Sequence, residues 1–208
     1  GTLTIPSSVT TIGENAFYCS GLSNAVIGDF TYSLSLPTAT VSAYNGTKTT
    51  VTIPSTILGN SATVSDVASG VLKNKNVTTA TFNNITYTLD ASSDPCTATV
   101  LGNTSATGDI SIPVTVFSDY TVTTIGTNAF NSSTIKSVTL PASVSTLKEG
   151  AFLGCYNLTS INLGNITTYE PKALGECTSL TAITLNDNVT NIPAQCFDNC
   201  KKITSVTL

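Results

Sequence analysis

The sequence predicts a mainly-β solenoid: a right-handed superhelix of stacked parallel strands, with short helical turns and β-hairpin inserts. Three observations predict it. A motif recurs every 22 to 23 residues through the C-terminal part of the chain. Within each cycle a short stretch alternates apolar and small polar side chains, the period of a half-buried strand. One such cycle is too short to bury a core of its own, so neighbouring cycles must stack to make one.

The motif is clearest near the C-terminus. Val138-Thr139-Leu140, Ile161-Asn162-Leu163, Ile183-Thr184-Leu185 and Val206-Thr207-Leu208 recur at steps of 23, 22 and 23 residues. Leu147, Tyr169 and Ile192 keep the same phase, as do Phe152, Leu174 and Phe197, and Cys155, Cys177 and Cys200. The same cycle opens the chain, with Ile5-Pro6, Ile12, Ala16-Phe17 and Cys19 in order. A further copy runs from Ile110 to Leu140, with Ile112-Pro113, Ile125 and Ala129-Phe130. It carries about six extra residues before Ile125, and Ser132 stands for the Cys. A degenerate copy spans Val51 to Phe82, with Asn74 at the Cys position.

A longer duplication lies over this one. Thr31-Tyr32-Ser33-Leu34 matches Thr86-Tyr87-Thr88-Leu89, and Thr38-Ala39-Thr40-Val41 matches Thr97-Ala98-Thr99-Val100. Residues 28–82 and 83–140 are therefore two copies of one larger unit. The predicted organisation is a repeat at 1–27, a β-hairpin insert at 28–50, a degenerate repeat at 51–82, a second hairpin insert at 83–109, and four to five repeats at 110–208. Together these make one continuous solenoid. Asn45-Gly46 lies between two alternating runs and is the expected turn of the first hairpin.

Each element has a local reason. Val138 and Leu140 point inward from their strand while Ser137 and Thr139 point outward, and stacking such strands about 4.8 Å apart gives a parallel sheet. Pro6, Pro54, Pro113 and Pro141 have no N–H to donate and suit strand ends. A second short strand is expected around Val122-Thr123-Thr124-Ile125, followed by one helical turn at the E-x-A-F-x-x-C stretch.

The recurring pattern L-x-x-I-x-[IL]-P-x-x-[VL]-x-x-I-x-x-x-A-F-x-x-C resembles the leucine-rich repeats of the BspA-like family of bacterial surface proteins. The resemblance covers residues 1–27 and 110–208 well and 51–82 weakly. It implies a leucine-rich-repeat superhelix, an extracellular, secreted or cell-surface location, and adhesion to protein or glycan partners on host or neighbouring cells. It also implies that the repeated Cys faces inward and bonds a loop backbone. The six cysteines are expected to be free and buried, packed as small hydrophobes. The competing reading is a metal held by Cys196 and Cys200, whose spacing lacks a second pair.

Composition narrows the chemistry. The 208 residues carry 12 acidic and 8 basic side chains, a net charge of −4. All the basic residues are Lys, Thr numbers 39, and His, Arg, Trp and Met are absent. A sparse set of lysines on an acidic chain argues against nucleic-acid binding. No apolar run nears the roughly 18 residues a membrane span needs, so this fragment is not expected to insert. Without His, neither a Ser–His–Asp nor a Cys–His site can be built. The acids sit mostly in turn contexts. No enzyme activity, cofactor or metal is expected. Eight N-x-S/T triplets, the first at Asn45, arise readily by chance in a chain so rich in Asn and Thr.

The expected partner-facing strip is the outward side of the strand ladder: Ser137, Thr139, Ser160, Asn162, Thr184, Ser205 and Thr207. It is hydroxyl-rich and uncharged. Tyr32, Tyr44 and Tyr87 in the inserts are alternative contacts. The functional expectation is a non-catalytic binding or adhesion module; the alternative is a structural spacer within a larger surface protein. Strand motifs at both ends of the chain also predict further repeats or end-to-end self-association.

Overall fold

The computed structural model describes residues 1–208 except Ser7, Thr10, Asn15, Tyr18, Cys19 and Leu208. The chain is nearly all β, a solenoid of stacked parallel strands. Among the described residues the only helix is one 3-10 turn at Lys73–Lys75, and none is long and apolar enough to cross a membrane. Two compact units are present, Gly1–Asn83 with Val116–Tyr120, and Asn84–Thr115 with Thr121–Leu208.

The first unit holds β1 (Thr2–Ile5), β2 (Asn24–Ile27), β3 (Phe30–Ser35), β4 (Thr38–Tyr44), β5 (Thr50–Thr52), β6 (Thr56–Ile57), β7 (Ala62–Val67) and β8 (Thr79–Phe82). One sheet runs β1-β2-β3-β4-β7-β6. The pairs β1–β2 and β4–β7 are parallel, whereas β2–β3 and β3–β4 are antiparallel. The pair β5–β8 is also parallel.

The first insert therefore folds as a hairpin, but not at the expected turn. β3 and β4 are joined at Leu36-Pro37, and Asn45-Gly46 lies beyond β4. The reason is Tyr44. Its hydroxyl accepts from the Lys48 N–H at 3.0 Å and faces the Lys48 carbonyl at 3.3 Å, so the loop wraps around the ring. Gly46 lies against that ring, where a Cβ would collide with Tyr44. The strand after the loop, β5, then pairs with β8 and not with β4.

Eleven more strands follow: β9 (Ile85–Asp90), β10 (Thr97–Gly102), β11 (Thr107–Ser111), β12 (Thr115–Val116), β13 (Tyr120–Ile125), β14 (Thr134–Thr139), β15 (Thr146–Leu147), β16 (Ser160–Ile161), β17 (Thr168–Tyr169), β18 (Ala182–Thr184) and β19 (Ser205–Thr207). In the second unit β9–β10 is an antiparallel hairpin. Its return strand joins the parallel ladder β10-β13-β15-β17. The insert is thus part of the ladder, as β4 is in the first unit. The duplication shows in detail: the β4–β7 ladder slips between Ala39 and Thr40, and the β10–β13 ladder slips between the matching Ala98 and Thr99.

The extra residues before Ile125 form a clasp that groups with the first unit. The Asp119 carboxylate accepts from the Ser69 hydroxyl at 2.6 Å and from the Gly70 N–H at 2.6 Å. Ser118 donates to Asp66 at 3.0 Å. Phe117 is buried beside Phe82, with ring centroids 6.4 Å apart. Leu58 sits at the matching place in the earlier copy. Both are buried with left-handed backbone, φ +56° at Leu58 and +53° at Phe117.

Phe130 and Phe152 stack with ring centroids 5.4 Å apart and planes 8° apart, both fully buried. Leu174, also fully buried, holds the same place one turn on. Phe197 is half-buried and packs against Tyr169 at 6.0 Å. The A-F stretch is not helical. It is a run of tight turns, with Ala151 N–H on Lys148 O, Leu153 N–H on Gly150 O and Cys155 N–H on Phe152 O. The cause is two columns of left-handed residues flanking it. One is Asn128, Gly150, Lys172 and Gln195; the other is Ser132, Gly154, Glu176 and Asn199, all with φ between +53° and +69°. A left-handed residue on each side prevents the consecutive right-handed dihedrals a helix needs.

Candidate functional site

The expected strip lies on β14, β16, β18 and β19. β14, β16 and β18 form because Val138, Leu140, Leu163, Ile183 and Leu185 find a dry interior, and all five are buried; on β19 the expected inward residue, Val206, is 58% exposed. Their outward neighbours Thr139, Ser160, Asn162, Thr184, Ser205 and Thr207 are exposed, and Ser137 is half-exposed. Ser137 pairs with Ser160 across β14–β16, and Thr184 with Thr207 across β18–β19. The ladder is not unbroken: β11-β14-β16 is one sheet and β18–β19 another.

Two members of the strip are committed to the fold. Asn162 reaches back one turn, where its Oδ1 accepts from the Leu140 N–H at 2.6 Å and its Nδ2 donates to the Leu140 carbonyl at 2.8 Å. Ser137 donates to Asp109 Oδ1 at 2.6 Å. Thr159 and Thr204, just before their strands, use their hydroxyls in a similar way on the carbonyls of Lys136 and Thr181. The hydroxyls left facing outward are those of Thr139, Ser160, Thr184, Ser205 and Thr207.

The inserts do not offer the expected aromatic contacts. Tyr32, Tyr44 and Tyr87 are all buried, because each sits on the inward face of its strand. Burial pushes the Tyr32 and Tyr87 phenols up to about 12. Among the described residues the exposed aromatic is Tyr156, half open to solvent, with its hydroxyl donating to Glu176 at 3.0 Å. Sequence reasoning missed it, although it follows the inward Cys155 and so points out.

The repeated cysteines behave as the resemblance implies. Cys155, Cys177 and Cys200 donate to the carbonyls of Phe130, Phe152 and Leu174 at 3.1, 3.2 and 3.1 Å. They are free thiols; Cys155 and Cys177 are fully buried and Cys200 partly so. Cys19 lies outside the described residues. Ser133, not Ser132, holds the position in the earlier turn, buried 3.5 Å from Cys155 Sγ. Asn74, expected at the matching place in the degenerate copy, is exposed. Hydrogen bonding to Cys155 and Cys200, and then burial, push the Cys177 thiol pKa far up. Burial above all raises that of Cys196 to about 12. Among the described residues no group of three or more Cys, Asp or Glu could hold a metal.

One ion pair crosses successive turns, Lys148 Nζ to Glu170 Oε1 at 2.7 Å, with Glu170 Oε2 accepting from the Glu149 N–H at 2.9 Å. Hydrogen bonding from Lys148 holds the Glu170 carboxyl below the usual range.

Residues 1–67 and 103–208 match the family model of the BspA type leucine rich repeat region, in six copies. The chain is similar in structure to a leucine-rich repeat protein from Bacteroides capillosus ATCC 29799, with 27% identity, 62% of this chain and 97% of that chain covered, and a TM-score of 0.54. It is also similar to a leucine rich cell surface protein from Faecalibacterium prausnitzii A2-165, with 23% identity, 99% of this chain and 59% of that chain covered, and a TM-score of 0.46. No curated protein matches the sequence.

Proposed function

This chain belongs to the BspA-type leucine-rich repeat family, and from that premise we propose that it is a non-catalytic binding module displayed outside the cell. It presents a solenoid face to a protein or glycan on host or neighbouring cells. The observation that carries this reading is the outward row of Thr139, Ser160 and Thr184, exposed on strands backed by a buried interior and continued by Ser205 and Thr207 on β19, which is exposed throughout. Repeat scaffolds hold such rows at fixed spacing on a rigid support, which lowers the entropy cost of engaging an extended partner. The proposed location rests on family membership.

The test is a binding screen of the 208-residue chain against immobilised matrix proteins and glycan arrays. Saturable binding is expected to at least one class. A triple variant, Thr139→Lys, Thr184→Lys and Thr207→Lys, should abolish it while leaving the melting temperature nearly unchanged, since exposed strand positions tolerate substitution. No saturable binding to either class, or binding indifferent to the triple variant, overturns the proposal and leaves a spacer role.

A further inference from the structure

We propose that a cleft on the loop side of the second unit, beside Tyr156 and walled by Lys172, Glu176, Gln195 and Asp198, binds one neutral pyranose unit of a glycan. The cleft measures about 130 Å³ and is floored by Gly175 and Leu153. A Cβ on Gly175 would lie 3.1 Å from Leu153 Cδ1 and 3.3 Å from the Gln195 carbonyl, filling the floor. The space is too small for a peptide segment and suits a single sugar ring.

The backbone gives the first argument. Lys172, Gln195 and Glu176 all have left-handed dihedrals, φ +59°, +58° and +59°. Neighbouring turns put Asn128 and Gly150 in the first column, and Ser132, Gly154 and Asn199 in the second. Gly and Asn adopt this conformation at least cost, whereas a long side chain adopts it against its preference. Three long polar side chains therefore hold unfavourable backbone at the positions that wall one cleft. Strain kept at a shared site is a mark of function.

The side-chain chemistry gives the second. Glu176 and Asp198 are acceptors, the Lys172 ammonium is a donor, and the Gln195 amide is both. Lys172 makes no ion pair among the described residues despite lining the cleft with two carboxylates. The ammonium disfavours a cationic guest and the carboxylates disfavour an anionic one. A neutral polyol, each hydroxyl of which donates and accepts, fits the mixed wall. Among the described residues Tyr156 is the one aromatic side chain exposed by half, and it stands at the rim through its bond to Glu176. Through that bond the Tyr156 hydroxyl holds the Glu176 carboxylate in the wall of the cleft. The Glu176 N–H on the Asp198 carbonyl, at 2.6 Å, and the Lys172 N–H on the Ala194 carbonyl, at 3.3 Å, lock the two turns that form the wall.

This site is separate from the strand strip, so the two proposals fail separately. The test is an amide-resolved NMR titration of the whole chain with methyl glycosides of glucose, galactose, mannose and N-acetylglucosamine. Saturable shifts are expected at millimolar sugar, confined to the amides of residues 153–156, 172–176 and 195–198. Glu176→Gly and Tyr156→Ala should each weaken them about tenfold. Glu176→Gly should also hold or raise the melting temperature, which separates lost recognition from lost folding. Thr184→Lys on the strip should leave the shifts unchanged. The proposal is overturned if no glycoside shifts these amides, if both cleft variants bind like the parent, or if only a lysine amide, a sialoside or inorganic phosphate produces the shifts.

Discussion

The side chain of Asn162 closes a two-point clasp on the backbone of Leu140, one turn earlier, accepting from its N–H and donating to its carbonyl. A residue that sequence alone places in a partner-facing row is thus holding two coils together. Asn162→Ala should leave both Leu140 groups without this partner in a part-buried setting and cost about 1–3 kcal/mol. Asn162→Asp keeps the acceptor but sets a carboxylate against the Leu140 carbonyl, and should be no better. Urea denaturation of both variants checks this; a loss in binding with no loss in stability would contradict it.

The thiol ladder makes a second prediction. Cys177 donates to the Phe152 carbonyl from a fully buried site, and Ser133 shows that a hydroxyl fits the column. Cys177→Ser should therefore fold with a loss of about 1 kcal/mol, and Cys177→Val should be worse by overpacking. Among the described cysteines of the native protein, a thiol reagent at neutral pH should reach the half-buried Cys200 first. Cys155, Cys177 and Cys196 should react only on unfolding.

Gly150 occupies the left-handed column at φ +61°, and a Cβ there would collide with Asn128 Oδ1. Gly150→Ala should cost about 1–2 kcal/mol from the dihedral alone, with the clash added. A thermal melt equal to the parent's would show that the column relaxes freely.

Asp119 clasps the Ser69 hydroxyl and the Gly70 N–H together. Asp119→Ala strands a part-buried N–H and should cost about 1–3 kcal/mol, while Asp119→Asn should recover part of that. Hydrogen exchange should report faster opening at Gly70 in the Ala variant.

The Lys148–Glu170 pair sets a pH dependence. Its carboxyl is held low in the folded state, so its contribution is present above the ordinary carboxylate range and fades as pH falls through the folded value. Both side chains are over a third exposed or close to it, at 44% and 34%, so the contribution is about 0.5 kcal/mol. The stability gap between parent and Glu170→Gln should be open at neutral pH, close in acid, and narrow in high salt.

The period of 22 to 23 residues and the strand alternation were enough to place the inward column of Phe130, Phe152 and Leu174, the strands carrying Val138 and Ile183, and the inward cysteines. These depend only on which side chains avoid water at a fixed spacing, and that is written in order along the chain. The exposure of Thr139 and Thr184 follows from the same alternation, whereas on β19 Val206 is exposed together with Thr207 and the alternation is lost. What tertiary structure alone decided is where groups far apart in the chain meet. Asn45-Gly46 has strong local turn chemistry, yet the Tyr44 hydroxyl captures the Lys48 backbone and moves the hairpin to Leu36-Pro37. The A-F segments have helix-compatible composition, yet their N–H groups find carbonyls a turn away, as Phe130 does at Ala151, and the backbone goes left-handed to reach them. Asn162, Asp119 and the wall of Lys172, Glu176 and Gln195 owe their roles to partners more than a few residues away. Local propensity is worth tenths of a kcal/mol, and a part-buried hydrogen bond left unmade costs about 1–3 kcal/mol, so the contact between coils prevails.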